Sequence, residues 1–171
     1  NERPSAAVID SQSVKTSEGG EERGVDVHKQ TPGRKRHLVV DVLGLVLLVV
    51  VHSASIQDGA GGLLTLQKLF DHIKHNLHNR WCLLKLIWAD GGYPSIIDVV
   101  RQRFGWTLQI VKRSDDVKGF QALPHRWVVE RTFGWLGRYR RLARDYEHTT
   151  LSSESMVYIA SSRRMLKILA T

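Results

Sequence analysis

Two short apolar runs in the sequence each stop at an aspartate. Residues 6–9 are apolar and are followed by Asp10, and residues 83–89 are largely apolar and are followed by Asp90. Short apolar runs bounded by polar or turn-forming residues are typical of buried β-strands. The pattern predicts two buried strands that end in the same way.

Three more strands are predicted from segments rich in Val and Leu. Residues 35–42 and 45–53 are strand-like and are separated by a turn that contains Gly44, which indicates a β-hairpin. A further short strand is expected at 107–111. The chain thus supplies five strands.

Four other segments have apolar residues at three- and four-residue spacing, as in an amphipathic helix. These helices are expected at 59–77, 94–104, 124–139 and 151–169. Segment 11–34 is instead polar and rich in glycine, and we expect it to be a mobile loop. The order of elements predicts an α/β fold, with a mixed five-stranded sheet and helices on both of its faces.

The balance of charge points to a polyanionic partner. The 171 residues include 25 Lys and Arg against 17 Asp and Glu, which gives a formal net charge of +8. Nucleic acid is the first partner that so basic a chain suggests. The length favours a single domain over residues 1–171.

Composition also narrows the class and location of the protein. A single cysteine, Cys82, excludes a disulfide framework and suits a reducing cytosol. The longest apolar run has nine residues, too few to span a bilayer, so we expect a cytoplasmic protein without a membrane helix. The sequence begins at Asn1 rather than Met, and we expect that an N-terminal part is missing.

Asp10 and Asp90 are candidate catalytic residues, because ligands gather at strand ends in open α/β sheets. Each also has a structural interpretation, since Asp10 can cap the following loop and Asp90 can form an Asx-turn with Gly92. Divalent metal chemistry needs further carboxylate oxygens, and Glu130 stands out among the remaining acids. The residue pattern by itself leaves both interpretations open.

Glu130 is placed by helical periodicity on the polar flank of helix 124–139, opposite its apolar face. Arginines and glycines share this flank, so a polyanion can approach the backbone closely while its charge is balanced. The structural alternative is a solvated surface on which Arg126 and Glu130 form an i,i+4 ion pair.

Basic and aromatic residues are interleaved around this helix. Arg126, Arg131 and Arg138 can make bidentate contacts to phosphates, and Trp127 is a candidate for stacking on unpaired bases. Two further aromatic residues fall in the apolar sector and are expected in the core: Trp135 and Tyr139.

The remaining signals are interpreted structurally. The basic run 34–37 is expected to be a solvated strand start, and His52 a hydrogen-bonded core histidine. His72, His75 and His78 spread around their helix, so they do not converge on a zinc ion. Cys82 has no recognisable partner for nucleophilic catalysis.

Four blocks of the sequence, in this order, resemble the bacterial insertion-sequence transposases of the DDE type. The resemblance covers nearly the whole chain, and four blocks in order are more specific than any single block. The blocks are residues 7–16 with Asp10, 33–41, 89–93 with Asp90, and 126–147 with Glu130.

The resemblance implies a ribonuclease-H-like fold whose catalytic residues are Asp10, Asp90 and Glu130. These acids would hold two Mg²⁺ ions, which Mn²⁺ can replace. The implied reaction is phosphodiester hydrolysis at transposon ends, followed by transfer of the 3′-OH strand into target DNA. Double-stranded DNA is therefore the expected partner, with a homodimer assembled on it and a bacterial, nucleoid-associated location.

The resemblance also suggests which residues contact DNA. Arg126 and Arg131 would neutralise phosphates near the scissile bond. Further candidates are Lys15, Trp127, Arg138 and His125.

The chain departs from many relatives around the glutamate. Leu123 and Gly137 stand where those relatives carry Tyr and Lys, although Arg138 can substitute for the Lys, which suggests a different branch of the family. Relatives also carry an N-terminal segment that recognises transposon ends, and we expect it to be absent here. The alternatives are an inactive DNA-binding remnant, a metal-dependent nuclease of the same fold, and a basic structural or RNA-binding protein.

Overall fold

One mixed β-sheet organises the computed structural model, which describes residues 5–17, 19–75, 83–111 and 126–170. Its strands are β1 Ala6–Lys15, β2 Gly24–Asp26, β3 Thr31–Asp41, β4 Val46–Ser53, β5 Leu86–Ala89 and β6 Thr107–Ile110. The helices are α1 Asp58–His75, α2 Ile97–Phe104, α3 Trp127–Gly137, α4 Arg140–Ala143 and α5 Thr150–Leu169. A 3-10 turn, Pro94–Ile96, precedes α2.

The sheet combines an antiparallel half with a parallel half, and β1 joins the two. β1 runs antiparallel to β3, from Ala7 opposite Asp41 to Lys15 opposite Gly33, and β3 pairs antiparallel with β4. On its other edge β1 runs parallel to β5, which pairs parallel with β6. The predicted mixed sheet and its hairpin are confirmed, and β2 adds a short sixth strand beside the start of β3.

The apolar residues on the two faces of the sheet pack against different helices. Successive side chains of a strand point to opposite faces, so Ala7 and Ile9 belong to the core under α1 and α2, whereas Val8 belongs to the core under α3 and α5. The predicted placement of helices on both faces is confirmed. The architecture agrees with the ribonuclease-H-like fold that the sequence implies.

The prediction of a mobile loop over 11–34 is wrong. β1 continues to Lys15, β2 lies inside this segment and β3 already begins at Thr31. Polar contacts hold these strands, since Ser13 Oγ donates a hydrogen bond to Asp26 Oδ2 at 2.5 Å and Lys35 Nζ lies 3.4 Å from the same carboxylate. Hydrophobic patterning missed them because most of their side chains in this segment are polar.

The basic run 34–37 is also buried, contrary to the expectation of a solvated strand start. β3 lies between β1 and β4, and Arg34, Arg36 and His37 are at most 1% exposed. His37 Nδ1 lies 2.8 Å from His52 Nε2, which confirms His52 as a hydrogen-bonded core histidine.

The helices agree with prediction within the described residues, and α4 is an addition. The predicted extensions of α1 to residue 77 and of α3 back to residue 124 lie outside the described residues, as do His78 and Cys82. Tyr139 is partly buried and packs against the core under α3 and α5, which agrees with its expected place. Trp135 is partly buried and belongs to neither core cluster, so its expected place in the core is wrong. Among the described helices, none has a stretch long and apolar enough to cross a membrane.

Candidate active site

Asp10 and Asp90 are brought side by side by the parallel pairing of β1 with β5. Val8 of β1 pairs with Trp88 of β5. Asp10 lies two residues beyond Val8 within β1, and Asp90 lies two residues beyond Trp88, directly after the end of β5. β1 itself continues beyond Asp10, so the expectation that this strand ends there is wrong. The two carboxylates instead mark the point where paired parallel strands part, which is the edge where α/β sheets bind ligands.

Glu130 is supplied by the first turn of α3. The apolar face of this helix fixes its position, since Val129 and Phe133 are buried in the core that also contains Val8 of β1. Adjacent helical residues point about 100° apart, so burial of Val129 directs Glu130 away from the core. The Glu130 side chain is 44% exposed.

A single nitrogen atom of Arg126 links the three acids. Its Nη2 atom lies 3.6 Å from Asp10 Oδ2, 3.8 Å from Asp90 Oδ2 and 3.3 Å from Glu130 Oε1. The predicted i,i+4 pair with Glu130 is therefore present, but the same nitrogen also reaches the acids of β1 and β5. Three carboxylates from three elements thus surround one positive centre.

Backbone N–H groups fix the other oxygen of each aspartate. The Ser11 N–H donates to Asp10 Oδ1 at 2.7 Å, and the Gly92 N–H donates to Asp90 Oδ1 at 2.8 Å. The local turn contacts expected from sequence are thus formed together with the shared site. They leave the Oδ2 atom of each aspartate directed at Arg126.

Asp10 is the electrostatically strained member of the site. Burial, and secondarily the negative charge of Asp90, raise the pKa of Asp10 from 3.8 to about 6. The Ser11 N–H and the Arg126 charge act in the opposite direction without cancelling the rise. A further positive charge close to Asp10 would therefore be favourable at neutral pH.

Comparison with known proteins decides the family. The family described as "Transposase DDE domain" matches residues 1–161. The chain belongs to this transposase family. It is also 33% identical over 118 residues to a Burkholderia cepacia protein described as a putative transposase for insertion sequence element IS402.

The resemblance that the four sequence blocks carry is therefore confirmed. The aligned region covers 68% of this chain and 54% of the Burkholderia cepacia protein. The chain thus spans about half the length of the curated relative that it matches.

DDE transposases generally depend on divalent metal ions, and the acids of this site suit such ions by their chemistry. Among the residues described, no three His, Cys, Asp or Glu side chains are arranged to hold a metal ion as they stand. Asp10, Asp90 and Glu130 nevertheless offer only carboxylate oxygens, which hard cations prefer, and all three already face one positive nitrogen. A metal ion and Arg126 would therefore compete for the same carboxylates.

Asp58, the first residue of α1, supports the site beside Asp10. Ser11 Oγ donates to Asp58 Oδ1 at 2.8 Å, and Lys35 Nζ lies 2.9 Å from the same oxygen. Burial alone would raise the pKa of Asp58, but hydrogen bonds from Lys35 and Ser11 hold it below its usual value. Its partners are distant in sequence, so no local signal indicates this brace beside Asp10.

Lys15 lines an open groove that extends along β1 beyond Asp10. The groove has a volume of about 520 Å³, and no acidic residue lines it in the part of the chain that is described. Its lining residues are Gln12, Ser13, Val14, Lys15, Thr31, Gly137, Leu142, Ala143 and Arg144.

The other candidate DNA-binding residues do not join the acids. Arg131 stacks on both Trp127 and Trp135 and donates to the Leu43 carbonyl at 3.0 Å. Trp127 remains 43% exposed. Arg138 lines a separate pocket between α3 and α5, and Leu123 and His125 lie outside the described residues.

Proposed function

We propose that this chain carries the catalytic centre of a DNA transposase. It would hydrolyse a phosphodiester at transposon ends and then transfer the freed 3′-OH strand into target DNA. The observation that carries the proposal is the convergence of Asp10, Asp90 and Glu130 on one positive centre. Double-stranded DNA is the partner, and joining two ends favours a homodimer on DNA.

Asp10, Asp90 and Glu130 are the residues that would hold two Mg²⁺ ions, or Mn²⁺ in their place. Such ions lower the pKa of an attacking water and stabilise negative charge on the leaving 3′ oxygen. The protein contributes a rigid arrangement of ligands, because the Ser11 and Gly92 N–H groups hold one oxygen of each aspartate. The other oxygen of each aspartate is left for ligation.

Arg126 is the residue best placed to neutralise a phosphate at the scissile bond. Its guanidinium lies within 4 Å of all three acids, so a phosphodiester held at those acids comes within its reach. Lys15 lines a groove that leads away from Asp10. We assign to this groove the DNA backbone next to the scissile phosphate. Trp127 and Arg131 offer a stacking surface on the adjoining side of α3.

The test is Glu130→Gln, which removes one negative ligand while keeping nearly the same shape. We expect the variant to bind duplex DNA as the wild type does, measured by fluorescence anisotropy. Nicking of supercoiled plasmid in Mg²⁺ should fall by at least about a hundredfold, since even outer-shell changes at metal sites cost 10- to 100-fold. Asp98→Asn, an exposed acid on α2, is the matched control and should nick normally.

A second assay separates strand transfer from simple cleavage. The wild type is incubated with a duplex that ends in a free 3′-OH, with target plasmid and with Mg²⁺. Joined products support a transposase, whereas nicking without joining would identify a metal-dependent nuclease. Binding of DNA with neither nicking nor joining would identify an inactive remnant, and equal nicking by Glu130→Gln would remove Glu130 from the site.

A further inference from the structure

A strongly basic pocket lies between α3 and α5, apart from the three acids. Its volume is about 300 Å³, and its lining residues are Trp135, Arg138, Tyr139, Arg163, Arg164 and Lys167. Four of these six residues are cationic at neutral pH and none is acidic. The sequence pattern selected only Arg138 among them, because helix α5 shows no signal of binding when it is considered alone.

Within the described residues, the arginines that line this pocket and the neighbouring Arg131 have no carboxylate partner in an ion pair. Arg164 is near enough to Arg131 that, after burial, this positive neighbour lowers the Arg164 pKa. Its Nε atom is buried and has no hydrogen-bond partner. Like charges that repel one another in this way are stabilised by a bound anion.

Aromatic stacking holds these cations in place before any anion arrives. The guanidinium groups of Arg131 and Arg164 both lie over the Trp135 ring, and Arg163 lies over Tyr139. Cations over ring faces are attracted by the ring quadrupole, which offsets part of their repulsion. A planar guanidinium fixed in this way is preorganised for bidentate contact with phosphate.

The position of the pocket along α3 relates it to the acids. Arg138 follows Glu130 by eight residues, a helical distance of about 12 Å at about 1.5 Å per residue. Phosphates of one strand rise about 3.4 Å per nucleotide, so this distance corresponds to about three to four nucleotides.

Two glycines lie on the helix surface between Glu130 and the pocket. Gly134 and Gly137 lie on it, and an added Cβ at either position would contact nothing within 4 Å. No side chain of theirs stands in the way of a polyanion that follows α3 from the acids to the pocket.

We propose that the pocket between α3 and α5 binds a backbone phosphate of the DNA whose scissile phosphodiester lies at Asp10, Asp90 and Glu130. This inference rests on the proposed function and adds a second anchoring point to it. The α5 residues Arg163, Arg164 and Lys167 lie beyond residue 161, where the family match ends.

The double variant Arg163→Gln, Lys167→Gln tests the proposal, because both side chains are exposed and the fold should tolerate the change. The matched control is Arg101→Gln, Arg103→Gln, which removes two exposed charges from α2 on the other face of the sheet. Thermal denaturation of both proteins checks that they are folded. Duplex affinity is measured by fluorescence anisotropy over a series of salt concentrations, in the Glu130→Gln background so that the DNA stays uncut.

The pocket variant should bind duplex DNA at least about tenfold more weakly at low salt than the control. Its plot of log K against log salt should be shallower by about one to two, since each lost phosphate contact lowers the slope by about 0.9. Restoring Glu130 in this variant should restore nicking at saturating DNA, because the acids are untouched. Salt slopes equal to those of the control would overturn the proposal.

Other outcomes of these experiments distinguish DNA from other anionic ligands of the pocket. They also distinguish failure of the pocket proposal from failure of the proposed function. If inorganic phosphate stabilises the wild type but not the pocket variant while DNA affinity is unchanged, the pocket binds a small anion and the proposal fails. An acidic protein segment as the true ligand would also leave the DNA slope unchanged. The pocket variant could lose DNA affinity while Glu130→Gln nicks DNA as fast as the wild type. That result would support the pocket as a DNA contact but overturn the assigned catalytic centre.

Discussion

Asp10 shows how burial at the site affects stability at the scale of one residue. Its pKa is raised from 3.8 to about 6, first by burial and then by Asp90. A carboxyl group with a higher pKa in the folded chain holds its proton more tightly there than in the unfolded chain. Ionisation of Asp10 therefore destabilises the fold progressively as pH rises from about 4 to about 6.

Asp10→Asn should stabilise the metal-free protein at pH 7. A difference of about two pKa units corresponds to about 3 kcal/mol at 1.36 kcal/mol per unit, so we expect a gain of about 2–3 kcal/mol. The gain should fall below about 1 kcal/mol near pH 4, because Asp10 is then protonated in the folded chain and only about half ionised in the unfolded chain. Urea denaturation in EDTA measures it, and equal gains at pH 4 and pH 7 would contradict the assignment.

Arg126 is the counter-ion of the whole site, and its removal should expose the repulsion among the acids. We expect Arg126→Gln to lose about 1.5–3 kcal/mol of stability in EDTA at pH 7, the range for hydrogen bonds to charged groups. Mn²⁺ should then raise the Tm of the variant more than that of the wild type, because the competing cation is gone and ligand binding stabilises the folded state. Arg138→Gln is the control, and an equal Tm shift in all three proteins would refute the competition.

At the scale of elements, β3 ties the C-terminal part of the chain to the sheet through buried charges. Arg34 Nη1 and Arg36 Nη2 lie 3.6 and 3.8 Å from the two carboxylate oxygens of Asp145. All three side chains are at most 1% exposed. Ser153 Oγ of α5 donates to Asp145 Oδ2 at 2.7 Å, so one acid links β3 to the last helix.

Asp145→Asn should destabilise the protein strongly, because it leaves two buried arginines without a counter-charge. Breaking a buried pair on one side costs about 3–5 kcal/mol, and urea denaturation should show a loss of this size. The control is Arg141→Gln, which breaks the ion pair between Arg141 and Glu147. The Arg141 side chain is 61% exposed. The urea midpoint of the control should stay at the wild-type value, and a comparable loss there would contradict the role of burial.

At the scale of the whole molecule, the site draws on elements from both faces of the sheet. α1 and its neighbours support the Asp90 turn from one face of the sheet, and α3 carries Glu130 over the other face. Burial between α1 and β3 also places His37 and His52 against each other. First burial, then the charge of His52, lowers the pKa of His37 from 6.5 to about 3.

The His37 pair predicts the acid sensitivity of the entire fold. An unfolded chain binds a proton at His37 below pH 6.5 that the folded chain binds only near pH 3, so stability is present above pH 6.5 and is lost on acidification. The loss is up to about 1.4 kcal/mol per pH unit for each such proton. Between pH 6.5 and 4.5, His37→Asn should show a shallower pH slope of unfolding free energy than the wild type. The exposed His28→Asn serves as control, and identical slopes in all three proteins would contradict the prediction.

Much of the architecture follows from local patterns in the sequence. The apolar runs before Asp10 and Asp90 and the helical spacing around Glu130 are local features, and they predict the order of elements and the three acids. They do so because side-chain alternation in strands and the helical repeat are properties of the backbone itself. The motif resemblance adds the family, which comparison confirms.

Only the tertiary structure decides which polar groups meet. Arg34, Arg36 and His37 have the composition of a solvated segment, yet all three are buried. Acceptors from the distant segment 142–149 bind the two arginines, and His52 contacts His37. The Arg126 contacts with two strands and the stacking of Arg164 of α5 on Trp135 of α3 are likewise invisible in either segment alone. Periodicity reports which face of an element is apolar, whereas ion pairs and stacking depend on distances between elements that only packing sets.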